Sequence, residues 1–370
     1  MIYIHVPFCK SFCTYCDFYS EIPGEGMYDA YTKQLCQEIH DRAAEMDNSL
    51  KTLYFGGGTP SVLPLSHLTR ILLALEECGH GGPYTEFTME CNPEDLVEKG
   101  LPYLESLRSL GVNRMSMGVQ SLDDDLLRWM NRRHTAEGAR EAFRLVRQAG
   151  FENVSIDLIF GLSNLSDAVW EATIDEAIAL DPEHISCYQL TIEGDNVLAQ
   201  RLENGEYEEA PDELCRHQYD ILCSKMAAAG YVHYEISNFA KPGMHSRHNS
   251  SYWDGSPYLG LGPGAHSFDG GCVRRSNDTS LKDYVCSTAD VPHQKEVLTP
   301  EEQYDELVMT RLRTALGLSL SLLTPEQRSY CMEMAEPHIH RGDLVQDGLV
   351  LRLSRKGIFI SNSIISDLMC

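Results

Sequence analysis

Six short β-rich runs alternate with longer amphipathic stretches over residues 1–190, and this alternation constrains the fold more than any other feature. The runs at 2–6, 52–55, 86–90, 114–118, 154–160 and 185–190 are the expected strands. Helical patterns lie between them at 28–44, 66–77, 101–110, 135–149 and 167–180. Glycines follow two of these helices, Gly111 and Gly150, as expected just past a helix end. Strand–helix repeats of this kind build a parallel sheet with right-handed crossovers. Glu90, Gln120, Asp157 and Gln189 stand at or near the C-terminal ends of the runs, where α/β barrels place their chemistry. An incomplete (β/α)6 TIM-like barrel is the simplest architecture, spanning residues 1–211.

The pattern changes at Asp212. One helix is expected at 212–229, then a Tyr-, His- and Gly-rich stretch at 231–271 with little helical periodicity. Residues 212–295 are assigned to a barrel extension, and 296–370 to a smaller C-terminal α+β unit. That unit combines a helical region at 300–336, a hairpin around Asp347-Gly348 and a final helix, a winged-helix-like arrangement. A winged helix invites a DNA-binding reading. Residues 301–370 carry seven Lys/Arg against ten Asp/Glu, and the whole chain has a net charge of −25. Such a surface repels a phosphate backbone, so no nucleic-acid partner is expected. The sequence contains no apolar run long enough to span a bilayer and no secretory signal at its start, so a cytoplasmic location is expected.

Cys9, Cys13 and Cys16 are spaced C-x3-C-x2-C, which lets one short loop present three thiolates to a cube corner. Ordinary electron-transfer clusters take four cysteines. Here the next cysteine is Cys36, inside a helical pattern. Three protein ligands leave one iron open to a small molecule. A zinc site is the bland alternative; it needs a fourth Cys or His, and His5 is the only candidate nearby. The other ten of the thirteen cysteines are scattered and read as small apolar side chains of a protein from a reducing compartment.

The C-x3-C-x2-C spacing, with Tyr15 before its last cysteine, resembles the radical S-adenosylmethionine (SAM) superfamily. Longer strings are similar to the oxygen-independent coproporphyrinogen III oxidase family within it: Tyr3-Ile4-His5-Val6-Pro7-Phe8-Cys9, Cys16-Asp17-Phe18, Phe55-Gly56-Gly57-Gly58-Thr59-Pro60-Ser61, Glu90-Cys91-Asn92-Pro93, Gly118-Val119-Gln120-Ser121 and Ile156-Asp157-Leu158-Ile159-Phe160-Gly161-Leu162. The likeness runs from Tyr3 to about His266. It implies a radical SAM barrel whose Cys9, Cys13 and Cys16 hold a 4Fe-4S cluster, with SAM on the fourth iron. It also implies SAM contacts at Gly57, Gly58 and Thr59, and at Glu90, Gln120, Arg132 and Asp157. Arg132 suits a bidentate bond to the SAM carboxylate; Arg133 aligns less well. Tyr3 and the main chain at Tyr15 are lesser contacts. Without side chains, Gly57 and Gly58 let the backbone approach a ligand closely.

Two departures point away from the oxidase branch. Phe18 stands where that branch has a fourth cysteine, and the extension before its first strand has no counterpart here. His248-Asn249-Ser250-Ser251-Tyr252-Trp253 instead resembles the haem-binding H-N-x-x-Y-W string of the family's haem chaperone branch. Imidazole is a good axial ligand for haem iron, and Tyr252 and Trp253 offer flat apolar surface with polar handles. Asn249 is placed to orient the imidazole. The bland reading of His248 is a loop histidine packed on aromatics, and His245 and His266 are alternative ligands. The resemblance therefore implies a haem chaperone that delivers haem to an acceptor, a membrane-associated respiratory protein, with peripheral membrane contact and a homodimer left open. The alternative is an enzyme acting on a tetrapyrrole, either the oxidase or a haem-modifying activity. Whether SAM is cleaved stays open in both.

Overall fold

Ile2, Ile4 and Val6 are fully buried and alternate with Tyr3 and His5, so the first strand puts an apolar face to one side and a polar face to the other. The structure of the chain, a computed structural model, describes every residue except 47–50, 195 and 289. The alternation of β1 (Ile2–Val6) recurs in β2 (Thr52–Gly57), β3 (Glu86–Cys91), β4 (Arg114–Gln120), β5 (Val154–Phe160) and β6 (His184–Gln189). These strands pair in parallel in chain order. Register puts Ile4, Phe55 and Met89 on the outer face, beside Met115 and Val154. Tyr3, Tyr54, Thr88 and Arg114 line up on the inner face.

The outer face is covered by α1 (Met27–Asp41), α2 (Leu65–Glu77), α3 (Pro93–Ser109), the short α4 (Asp124–Trp129), α5 (Ala136–Gln148) and α6 (Asp167–Ala179). They join the strands in one large apolar core. The α3 helix starts earlier than the expected 101–110. Pro93 sits at its first turn, where a missing N–H costs nothing. Gly100 then breaks the helix with φ 66°, so only the second half carries a clean periodic signal. After α7 (Val197–Glu203) and α8 (Asp212–Ala228), β7 (Val232–Glu235) and β8 (Asn238–Ala240) extend the sheet antiparallel beyond β6.

The stretch at 231–271, expected to show little helical periodicity, holds one short helix, α9 (Arg247–Trp253). It is followed by β9 (Leu259–Leu261), which pairs in parallel with β1 at the edge of the sheet, and β10 (His266–Phe268). The nine-stranded sheet runs β7-β8-β6-β5-β4-β3-β2-β1-β9 and is not closed into a full barrel among the described residues. A second sheet is formed by β10, β11 (Val273–Ser276) and, after α10 (Leu281–Cys286), β12 (Gln294–Val297).

The C-terminal region has its own apolar cluster, including Tyr304, Val308, Leu312, Leu344, Leu351 and Ile364. The helical region expected at 300–336 is two helices, α11 (Pro300–Leu312) and α12 (Pro325–Arg341). Each opens with a capping box, Thr299 with Glu302 and Thr324 with Gln327. Between them lies β13 (Leu318–Ser319), which joins the hairpin of β14 (Leu344–Asp347) and β15 (Val350–Leu353). The helices α13 (Arg355–Phe359) and α14 (Ser361–Leu368) end the chain. No helix among the described residues is long and apolar enough to cross a membrane.

Candidate functional site

The loop after β1 is tied down at several points. Phe8 is buried edge-on between Tyr28 and Tyr31, with centroids 4.9 and 5.2 Å away. The Cys9 N–H donates to the Glu21 carbonyl (3.1 Å), the Thr14 N–H to Met130 (3.1 Å), and the Asn131 side chain to the Phe12 carbonyl (2.7 Å). The N–H of Leu198, on α7, donates to the Thr14 carbonyl at 2.8 Å. Cys9, Cys13 and Cys16 are half-buried free thiols on this fixed loop. Burial raises the Cys9 pKa and pushes Cys16 up to about 11.

A continuous run of contacts joins two of these thiols. Cys9 Sγ lies 3.4 Å from Thr59 Oγ1, and Asn92 Nδ2 donates to that same oxygen at 3.1 Å. Arg132 Nη2 donates to Asn92 Oδ1 (2.8 Å) and to the Gly118 carbonyl (2.6 Å), while Nη1 reaches Cys13 Sγ at 3.4 Å. Arg132 Nε is buried without a partner among the described residues. A guanidinium anchored on its outer nitrogens, with one N–H unspent, suits a carboxylate ligand beside the cysteines. Asn92 was not singled out by sequence reasoning. Its signal was its place in Glu90-Cys91-Asn92-Pro93, directly before a helix-opening proline.

Gly57 and Gly58 pack closely on neighbouring elements. A Cβ on Gly57 (φ 106°) would fall 2.6 Å from the His5 ring, and one on Gly58 would fall 2.7 Å from the Phe8 carbonyl oxygen. They let the end of β2 close onto β1 and the cysteine loop. That packing places Thr59 against Cys9. Glu90 Oε1 accepts from Tyr54 at 2.6 Å, and Oε2 from the Gly57 N–H at 3.2 Å. Burial, with Asp157 nearby, pushes Glu90 up to about 7; burial likewise lifts Asp157 to about 6. Gln120 has φ 66°, uncommon outside glycine, and its amide stands near Gly118 together with Arg132 and Asn92. The Tyr15 carbonyl accepts from Asn196 at 3.3 Å. Tyr3 lies deeper, stacked on Tyr54 with centroids 6.0 Å apart.

His5 is no fourth ligand for the cysteines. Its Nδ1 meets the Tyr3 hydroxyl at 3.1 Å and its Nε2 the Tyr19 carbonyl at 2.9 Å. Among the described residues, no three His, Cys, Asp or Glu side chains converge as a single metal ion requires. Arg133 points away, toward Glu94 (3.5 Å) and Asp95 (3.7 Å).

The H-N-x-x-Y-W string lies at the opposite end of the strands, and the expectation of a loop there is corrected. The string forms α9, not a loop. Its first turn is fastened to Glu86, the first residue of β3, which accepts from the N–H groups of Arg247 and His248 at 2.8 Å each. His248 is 1% exposed. Its Nδ1 pairs with Thr52 Oγ1 at 2.9 Å and its Nε2 with the Tyr252 hydroxyl at 3.1 Å. Its ring lies 4.9 Å from that of Tyr54. Burial pushes its pKa down to about 3. Both ring nitrogens of His248 are therefore engaged within the fold in this arrangement. Asn249 and Trp253 are half-buried on the same helix, and Trp253 Nε1 is buried without a partner among the described residues. His245 stacks on Tyr234 with centroids 4.2 Å apart. His266, on β10, is exposed.

The pattern of the Radical SAM superfamily matches residues 3–177. The chain is 36% identical to the haem chaperone HemW of Bacillus subtilis (strain 168), over 98% of this chain and 97% of that protein. It is 34% identical to the haem chaperone HemW of Synechocystis sp., over 87% of this chain and 79% of that one. In fold it is similar to the coproporphyrinogen III oxidase HemN of Escherichia coli, with a TM-score of 0.83 at 23% identity, covering 100% of this chain and 89% of that one.

Proposed function

The chain belongs to the HemW family of radical SAM proteins, and from that premise we propose that it is a haem chaperone, carrying a SAM-ligated 4Fe-4S cluster and passing haem to an acceptor protein. The observation that carries this reading is the reach of the likeness. At 36% identity it spans 98% of the chain, well past the superfamily segment at 3–177, and so includes α9 and the C-terminal region. The exposed Phe18, where the oxidase branch has a cysteine, agrees with it.

In this reading Cys9, Cys13 and Cys16 hold the cluster. When bound and reduced, the cluster supplies one electron to the sulfonium of SAM. Arg132 takes the SAM carboxylate through its unspent Nε–H. The Glu90 carboxylate accepts from the SAM ammonium or ribose, and Asp157 and Gln120 complete the polar wall. Gly57, Gly58 and Thr59 shape the strand end around the ligand, with Tyr15 and Tyr3 as lesser contacts.

The family supports haem binding, while His248 as it stands is engaged with Thr52 and Tyr252. Of His245, His248 and His266, only His266 is exposed, and it is the histidine proposed to meet haem iron in this form. The acceptor is proposed to be a respiratory haem protein at the membrane, reached from the cytoplasm. The test is transfer. Haem-loaded protein, mixed with an apo b-type haemoprotein, should give the acceptor's holo spectrum faster than free haem at equal concentration. An equal or slower rate would count against a chaperone. Robust conversion of coproporphyrinogen III to protoporphyrinogen by the reconstituted protein would replace this reading with the oxidase.

A further inference from the structure

Arg132, Asn92 and Thr59 form a chain of hydrogen bonds whose direction is fixed at each link. A guanidinium carries donors only, so the Asn92 atom facing Arg132 Nη2 at 2.8 Å is its oxygen. The Asn92 amide nitrogen is thereby turned to Thr59 and donates to Oγ1 at 3.1 Å. A threonine hydroxyl has a single proton. Its oxygen already accepts from Asn92, so the proton is left for the other neighbour, Cys9 Sγ, at 3.4 Å. A neutral thiol could donate in return, but a thiolate only accepts.

Each member of the chain is held from elsewhere as well. Thr59 is 4% exposed, and its N–H donates at 2.7 Å to the carbonyl of Phe8, the residue before Cys9. The Asn92 N–H donates to Ser61 Oγ at 3.3 Å, where the chain enters α3. Arg132 Nη2 is also bound to the Gly118 carbonyl at 2.6 Å, and Nη1 donates to Cys13 Sγ at 3.4 Å. One guanidinium therefore directs a proton at two cysteines, at Cys13 by itself and at Cys9 through Asn92 and Thr59. The Ser20 hydroxyl also faces Cys9, from outside this chain of bonds.

We propose that Thr59 and Asn92 are positioning residues for reduction of the cluster: they aim a hydroxyl proton at the Cys9 thiolate and so raise the potential at which the cluster takes up its electron. The proposal rests on the cluster reading above and not on the SAM contacts. Reduction adds one electron, and no bond forms or breaks. The added negative charge is shared by the cysteine sulfurs, so a donor aimed at one of them favours the reduced state over the oxidised one. Hydrogen bonds to the sulfurs are among the features that set the potentials of such clusters.

The experiment is a redox titration of anaerobically reconstituted protein with dithionite, followed by electron paramagnetic resonance in the absence of SAM, with iron and sulfide measured for every variant. Thr59→Val keeps the shape and removes the hydroxyl. Its midpoint should move to lower potential, with the reduced-to-oxidised ratio at the wild-type midpoint falling about fivefold, the worth of one ordinary hydrogen bond. Thr59→Ser keeps the hydroxyl and should titrate with wild type. An unmoved midpoint in Thr59→Val at full cluster content would overturn the proposal, and so would an equal fall in Thr59→Ser. If Thr59→Val holds no cluster, Asn92→Ala decides. It leaves the hydroxyl free to turn away from Cys9, so its midpoint should also fall, and an unmoved value overturns the proposal. Wild-type protein that takes up no iron would instead remove the cluster reading beneath it.

Discussion

The cysteine loop and the α9 helix carry the two most telling sequence strings, and they sit at opposite ends of the same strands in opposite states. At the C-terminal ends, Cys9, Cys13 and Cys16 are half-buried, and Arg132 keeps an unspent N–H. At the N-terminal ends, His248 is sealed, with both ring nitrogens spent on Thr52 and Tyr252. The first arrangement leaves bonding capacity for a ligand; the second uses it up internally. This follows the general asymmetry of α/β barrels, in which the C-terminal face does chemistry and the other face stabilises. The comparison teaches that a binding string must be judged by its free valences as well as by its letters.

The largest expected effect is on the cysteine loop. Anaerobic reconstitution should give about four irons per chain. Cys9→Ala, Cys13→Ala or Cys16→Ala should abolish this, and Cys36→Ala should not. Full iron and sulfide content in the triple variant would erase the contrast. The second effect is on α9. Glu86→Ala removes the acceptor of two N–H groups, one of them buried, and should cost about 3 kcal/mol in denaturant unfolding, with reconstituted iron content unchanged. A stability within experimental error of wild type would mean α9 is loosely held.

The smallest effect is a pH dependence. His248 has a folded pKa of about 3, below its ordinary value. The unfolded chain therefore takes up the proton first, and stability contributed by the neutral ring is lost as pH falls from about 6.5 toward 3. His248→Phe should be less stable than wild type by about 2 kcal/mol near neutrality, having lost the hydrogen bonds to Thr52 and Tyr252. That gap should narrow at about pH 5. A constant gap would show that the ring is not held neutral.

Much of the barrel was legible because its strands alternate cleanly. Ile2, Ile4 and Val6 against Tyr3 and His5 mark both a strand and its two faces, and Val154–Phe160 matches the expected bounds. The first half of α3 was hidden, because Gly100 breaks the periodicity that would have extended it back to Pro93. The α9 helix was hidden because it has only seven residues, and its fastening comes from Glu86, distant in sequence. No local pattern records such a bond. The same limit applies to the site. The cysteine spacing is local and could be read, whereas the link from Thr59 through Asn92 to Arg132 exists only once three strand ends meet. Gly57 and Gly58 stood out as a motif, but their close packing on His5 and Phe8 depends on residues about fifty positions away and leaves no local pattern.

The most direct test of the contrast between the two ends is a haem titration of wild type, His248→Phe and His266→Ala, followed by the Soret band at a temperature where circular dichroism shows all three folded. His248→Phe should bind haem with the wild-type spectrum, and His266→Ala should bind more weakly with a shifted band, since its axial imidazole is gone. A shifted band and lost affinity in His248→Phe, with His266→Ala unchanged, would contradict that contrast: α9 would then have to leave its seat and present His248 to the iron.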